Sequence, residues 1–116
     1  MWYEGNNGSS WRIGFATSDN GISWVKHSNF IVDKLDNFDN ANVHDPKVFY
    51  KDNTYKMWFS GSNPDIRNIH INYSVSSDGI SWNPVNLSIL SASFAWENDL
   101  GISYPYTIYQ NNQYKM

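Results

Sequence analysis

Cysteine is absent from this 116-residue chain, so neither disulfides nor thiolate metal sites contribute to its fold. Basic residues are few. Eight Lys and Arg stand against eleven Asp and Glu, for a net charge of −3. They form no cluster, so a nucleic-acid backbone has no electrostatic footprint to bind. Long apolar runs are missing as well: none approaches the roughly 20 residues that span a bilayer as a helix, and no membrane partner is expected. The opening Met1-Trp2-Tyr3-Glu4-Gly5 has neither the basic nor the apolar stretch of a secretory signal. His27, His44 and His70 lack metal-ligand spacing, so no metal site is expected. No glycine-rich phosphate loop or nucleophile elbow occurs, and no cofactor is expected.

What the chain has in plenty is aromatic rings, with six Trp, eight Tyr and six Phe. Wide flat side chains suit β-strands, where they pack across a pleated surface. They also suit sugar recognition, because an aromatic face stacks on the apolar face of a pyranose or furanose ring. Packing is the default reading for any single one of them.

An internal repeat organises the whole chain. Ile13-Gly-Phe-Ala-Thr-Ser-Asp-Asn-Gly-Ile-Ser-Trp24 matches Ile71-Asn-Tyr-Ser-Val-Ser-Ser-Asp-Gly-Ile-Ser-Trp82 at an offset of 58. Asp45-Pro-Lys-Val-Phe-Tyr-Lys-Asp-Asn-Thr-Tyr-Lys-Met57 matches Tyr104-Pro-Tyr-Thr-Ile-Tyr-Gln-Asn-Asn-Gln-Tyr-Lys-Met116 at 59, and Met1-Trp-Tyr-Glu-Gly5 matches Met57-Trp-Phe-Ser-Gly61 at 56. The two units are residues 1–56 and 57–116 of one domain.

Each unit reads as strands. Val48-Phe49-Tyr50 follows Pro46, which a strand tolerates at its first residue. Lys51-Asp-Asn-Thr54 is a hairpin turn. Tyr55 to Ser60 alternates and is closed by Gly61; Ile69 to Ser74 alternates again. Ser76-Ser-Asp-Gly79 turns the chain, and Trp82 opens a fourth, outer strand. Residues 31–43 and 88–101 read as long irregular connections, and no helix is expected. Four antiparallel strands per unit is the arithmetic of a β-propeller blade. The fold class is all-β, built from propeller blades, with the repeat out of register with the blades. One whole blade runs from about Asp45 to Leu90. Residues 1–30 supply three outer strands of the blade before it, and residues 104–116 begin the blade after it. Two blades' worth of strands is too short for a closed propeller.

These motifs resemble the five-bladed propeller glycoside hydrolases: the β-fructosidases of family 32, the arabinanases and xylosidases of family 43, and the mannoside phosphorylases of family 130. The hairpin ending in Trp24, then Val43-His-Asp-Pro-Lys-Val-Phe-Tyr50, then Tyr55-Lys-Met-Trp-Phe-Ser-Gly61, carries the resemblance. The closest local order is that of the fructosidases. The resemblance implies three carboxylates from three successive blades facing the central axis. The middle one maps onto Asp45, with His44 where the family has Arg. The general-acid position maps onto Ser103, which cannot donate a proton as a tuned carboxylic acid does. The strand bearing the attacking carboxylate has no counterpart in the chain. Asp45 is therefore the one catalytic candidate at a family position, against a plain reading as a strand-entry turn residue. Glu97, in Trp96-Glu-Asn-Asp99, is a substitute acid or a solvated loop carboxylate. His44, Trp96 and Tyr104 are the candidates for sugar contact.

Two functions follow. The chain is a piece or relative of a propeller glycosidase, acting on or binding carbohydrate and not catalytically complete alone. Alternatively, it is a non-catalytic carbohydrate-binding or structural module that forms an oligomeric ring. Unpaired strand edges favour association with copies of itself. At two blades per chain, a dimer closes four and a trimer six.

Overall fold

The computed structural model of the protein describes residues 1–32, 42–62, 69–97 and 101–116, without the side chains of 84–87. Three antiparallel sheets follow one another along the chain. The first has the order β1 (Trp2–Asn6), β2 (Trp11–Thr17), β3 (Val25–Lys26). The second is the complete unit: β4 (Asn42–Lys51), β5 (Thr54–Ser62), β6 (Ile69–Ser76), β7 (Asn83–Leu90), paired in that order. The third is the hairpin β8 (Ile108–Gln110) and β9 (Gln113–Lys115). The only helical element among the described residues is one 3-10 turn, Ala95–Glu97. No helix among them is long and apolar enough to cross a membrane.

The chain is thus all-β, with one whole four-stranded unit between two partial ones. Boundaries move outward from the sequence reading. β4 starts at Asn42, so Pro46 lies inside it, at a bulge where pairing slips from His44↔Ser60 to Lys47↔Trp58. Two residues there oppose one, which frees the proline from a ladder bond it could not make. β5 runs through Gly61 to Ser62, and β7 continues to Leu90. Part of the expected connection 31–43 lies outside the described residues.

The repeat is also a register. Trp2, Tyr3, Glu4 and Gly5 pair with Phe15, Gly14, Ile13 and Arg12. Their counterparts Trp58, Phe59, Ser60 and Gly61 pair with Tyr73, Asn72, Ile71 and His70. Alternation along a strand then assigns each residue a face. Ile13, Val43, Met57 and Phe59 form the buried core, with Trp2, Val32, Val48 and Trp82 packed against it. Burying each such side chain contributes about 1.5–3 kcal/mol.

Aromatic contacts between sheets repeat in the same way. Trp2 of β1 meets Phe15 at 5.3 Å and Tyr55 of the second sheet at 5.6 Å. Trp58 of β5 meets Tyr73 at 5.1 Å and Tyr114 of the third sheet at 5.5 Å. Tyr55 leans on Tyr50 at 4.6 Å, and Tyr114 on Tyr109 at 4.8 Å.

The hairpin loops obey the same economy. Asn20 Oδ1 accepts the N–H groups of Ile22 and Ser23, and Asp78 Oδ1 accepts those of Ile80 and Ser81. Ser18 and Ser76 accept from Gly21 and Gly79. Gly79 takes φ +77, and the Trp2 ring lies where its Cβ would be, donating its indole N–H to the Gly79 carbonyl at 2.8 Å. Trp82 is packed beside Trp2, whereas Trp24, also expected to be a packing residue, is 41% exposed. Trp24 lies on the sheet that has no further sheet in front of it among the described residues. Asn72 begins a glycosylation-like triplet, but it is buried and holds the N–H of Ser88, so it is a core residue.

Candidate functional site

The β4 bulge places Asp45 in the left-handed region, with φ +54. Asp tolerates that conformation better than most residues because its short side chain bonds locally. Here Asp45 Oδ2 accepts a hydrogen bond from His44 Nδ1 at 2.8 Å, and its side chain is only 7% exposed. A carboxylate only accepts, so this pairing puts the hydrogen on Nδ1 and leaves Nε2 as the second nitrogen of the ring. The Asp45 N–H is taken by Glu4 Oε2 of β1, at 2.7 Å. Glu4, His44 and Asp45 each offer an oxygen or nitrogen within 4.8 Å of the others. The first sheet and the bulge of the second thus converge on one polar cluster.

That cluster lines a pocket of about 320 Å³ together with Trp11, Asn42, Ser62 and Tyr104. The size is at the small end for ligand pockets. Asn42 Oδ1 accepts the N–H of Trp11 at 2.9 Å, which fastens the start of β2 to the start of β4. Tyr104 has φ +58 and donates its N–H to Ser60 Oγ at 3.0 Å. Trp11 is 41% exposed and Tyr104 76%, so both rings have surface to offer a ligand. Among the described residues, no Lys or Arg lines it.

Of the residues singled out from the sequence, His44, Asp45 and Tyr104 come together here. Trp96 and Glu97 are not among the lining residues. Trp96 is 80% exposed and lies parallel to Phe94, with ring centroids 6.3 Å apart. Glu97 Oε2 accepts the N–H groups of Ser93 and Phe94. Those two bonds, Ser93's first, hold its carboxyl below the usual range. It is an ionised turn cap, suited to fixing the Phe94–Trp96 turn and poorly suited to donating a proton. Ser103 is half-buried beside Tyr104. Glu4, Trp11 and Asn42 were not singled out from the sequence. No local signal marks them: they align with Ser60, Ile69 and Gly101 in the repeat, where differences between the units are common.

The sequence profile of the β-1,4-mannooligosaccharide phosphorylase family, glycoside hydrolase family 130, matches residues 2–71, more than half of the chain. The chain belongs to family 130. The matched segment contains Glu4, Trp11, Asn42, His44, Asp45 and Ser62, and stops short of Trp96, Glu97 and Tyr104. Comparison with curated proteins gives no match. A solved structure described as a glycoside hydrolase superposes with a TM-score of 0.75 at 16% identity, over 94% of this chain and 32% of that one. At that identity the likeness is one of fold. The chain spans about a third of that structure's length.

Proposed function

We propose that this chain carries the sugar-binding part of a family 130 site, with a β-1,4-linked mannooligosaccharide held in the Glu4–His44–Asp45 pocket. The observation that supports this most is the pocket itself. Two carboxylates and an imidazole bring side-chain atoms within 4.8 Å of one another, beside the exposed faces of Trp11 and Tyr104. Carboxylates accept from sugar hydroxyls, and an aromatic ring stacks on the C–H face of a pyranose. Asp45 is the carboxylate we place on the sugar, with His44 beside it. The described lining, with two carboxylates, an imidazole and two aromatic rings, suits a neutral saccharide. Trp96, stacked on Phe94, is a second sugar-facing surface.

The three sheets belong to consecutive propeller blades in this reading, and the repeat units 1–56 and 57–116 run out of register with them. Ser103 and Tyr104 bring no acid to the junction between the second and third sheets. The chain alone therefore binds without turning over, which keeps the non-catalytic reading alive for it. Titration calorimetry with β-1,4-mannotriose tests the proposal. Binding that Asp45→Asn and Trp11→Ala each weaken by about tenfold or more supports it; binding unaffected by both overturns it. A parallel assay with inorganic phosphate should release no mannose 1-phosphate. Among the described residues β1 pairs with β2 alone, and such an edge supports self-association of the isolated chain. A monomer in sedimentation at micromolar concentration would refute that part.

A further inference from the structure

The two inter-sheet junctions share a device that no motif assigned. At the second junction, Ser60 Oγ of β5 accepts the backbone N–H of Tyr104. At the first, Glu4 Oε2 of β1 accepts the backbone N–H of Asp45. Glu4 and Ser60 are equivalent in the repeat, and so are Asp45 and Tyr104. The acceptors lie on β1 of the first sheet and β5 of the second; the donors lie in β4, which opens the second sheet, and shortly before β8, which opens the third. Both donors precede a proline, and both have positive φ, +54 and +58. A tyrosine gains nothing locally from that conformation, which costs an ordinary L-residue about 1–2 kcal/mol. What holds the conformation must come from outside the residue, and at both junctions a side-chain oxygen of the preceding sheet takes its N–H.

We infer that Glu4 is a positioning residue of the pocket: its carboxylate holds the backbone of Asp45 in the left-handed conformation that turns the Asp45 side chain onto His44. The bond is charge-assisted, unlike the hydroxyl bond at Ser60, and such bonds are roughly twice as strong as neutral ones. Glu4 also lines the pocket, and Ser60 is not among its lining residues. One structural clip has thereby become part of a site. The chain of effects runs from Glu4 to the Asp45 φ, from there to Asp45 Oδ2, and from Oδ2 to the hydrogen on His44 Nδ1. The inference concerns the same pocket as the proposed sugar site, but its test needs no ligand, so either can fail without the other.

The test is nitrogen-15 NMR on the whole 116-residue protein. In the wild type, the Asp45 amide should resonate far downfield and exchange slowly, and His44 should show the Nδ1-protonated tautomer. In Glu4→Ala, Asp45 amide protection should fall about tenfold or more, the size of a lost charge-assisted bond, and the His44 tautomer preference should be lost. Glu4→Gln keeps the length and an acceptor oxygen, and should restore the tautomer. Glu4→Ser should not, because the side chain that suffices at position 60 is too short for the distance Glu4 spans. If Glu4→Ala does not fold, the Gln and Ser variants decide between length and mere polarity. Unchanged Asp45 protection and His44 tautomer in the Ala or Ser variant would overturn the inference, as would equal disruption by Gln and Ala.

Discussion

The junction between the first and second sheets and the junction between the second and third are built on one plan and differ at their polar rims. Their aromatic frames superimpose in kind: Phe15–Trp2–Tyr55–Tyr50 on one side, Tyr73–Trp58–Tyr114–Tyr109 on the other, with matched ring separations. Their polar rims do not match. The first presents Glu4, His44 and Asp45; the second presents Ser60, Ser103 and Tyr104. Packing is held constant while the chemistry varies, as expected when a scaffold is repeated and function is placed on its rim.

Breaking the frame should have the largest effect. Trp58 is 7% exposed between two tyrosines, and Trp58→Ala should cost about 3–5 kcal/mol in urea unfolding. Trp2→Ala should cost less, roughly 2–3 kcal/mol, because Trp2 is only half-buried. Trp2→Phe, which keeps the ring and loses the bond to the Gly79 carbonyl, should cost about 1 kcal/mol. A Trp58→Ala variant as stable as wild type would show that the frames are not the common element.

The left-handed residues separate the junctions next. Tyr104 spends its strain on an exposed ring, so Tyr104→Gly should raise stability by about 0.5–1 kcal/mol. Asp45→Gly relieves the same strain but removes the partner of His44, and should give no such gain. Equal gains in thermal melts would mean that the Asp45–His44 pair contributes nothing.

The hairpin loops give a subtler contrast. Asn20 and Asp78 hold equivalent loops with equivalent bonds, but only Asp78 titrates. The N–H groups of Ile80 and Ser81, then the Ser76 hydroxyl, hold the Asp78 carboxyl well below its usual range. A carboxyl depressed in the folded state contributes stability that is fully present above its unfolded value, about 3.9, and is lost as pH falls through the folded value. Asp78→Asn should therefore flatten the loss of stability below about pH 4, and Asn20→Asp should steepen it. Identical acid-melting curves for wild type and Asp78→Asn would remove this contrast.

Much of the frame was legible in the sequence because its cause is local. The Asp52-Asn53 hairpin has two positive φ values, 54 and 55, as an Asp-Asn pair favours in a tight turn. Strand alternation and the repeat offsets set the pairing of β1 with β2 and of β5 with β6. The site was legible only in part. Asp45 and His44 stood next to a recognisable Asp-Pro, but Glu4 reaches them across 41 residues of sequence. No local propensity reports such a contact. Glu97 reads from composition as either a substitute acid or a loop carboxylate, because scarcity does not show hydrogen bonds; its two amide partners make it a cap. The strand limits were short by a few residues because Pro46 and Gly61 read as punctuation, whereas a bulge and a buried interior position accommodate them.

The most direct test of the whole account is a titration of the nitrogen-15-labelled protein with β-1,4-mannotriose, followed residue by residue. The account requires the shifts to gather at the first junction, on Glu4, Trp11, Asn42, His44 and Asp45, and to reach Tyr104, while Trp58, Tyr73 and Tyr114 of the second frame stay still. Shifts centred on the second frame, or none at millimolar sugar with the protein folded, would contradict it.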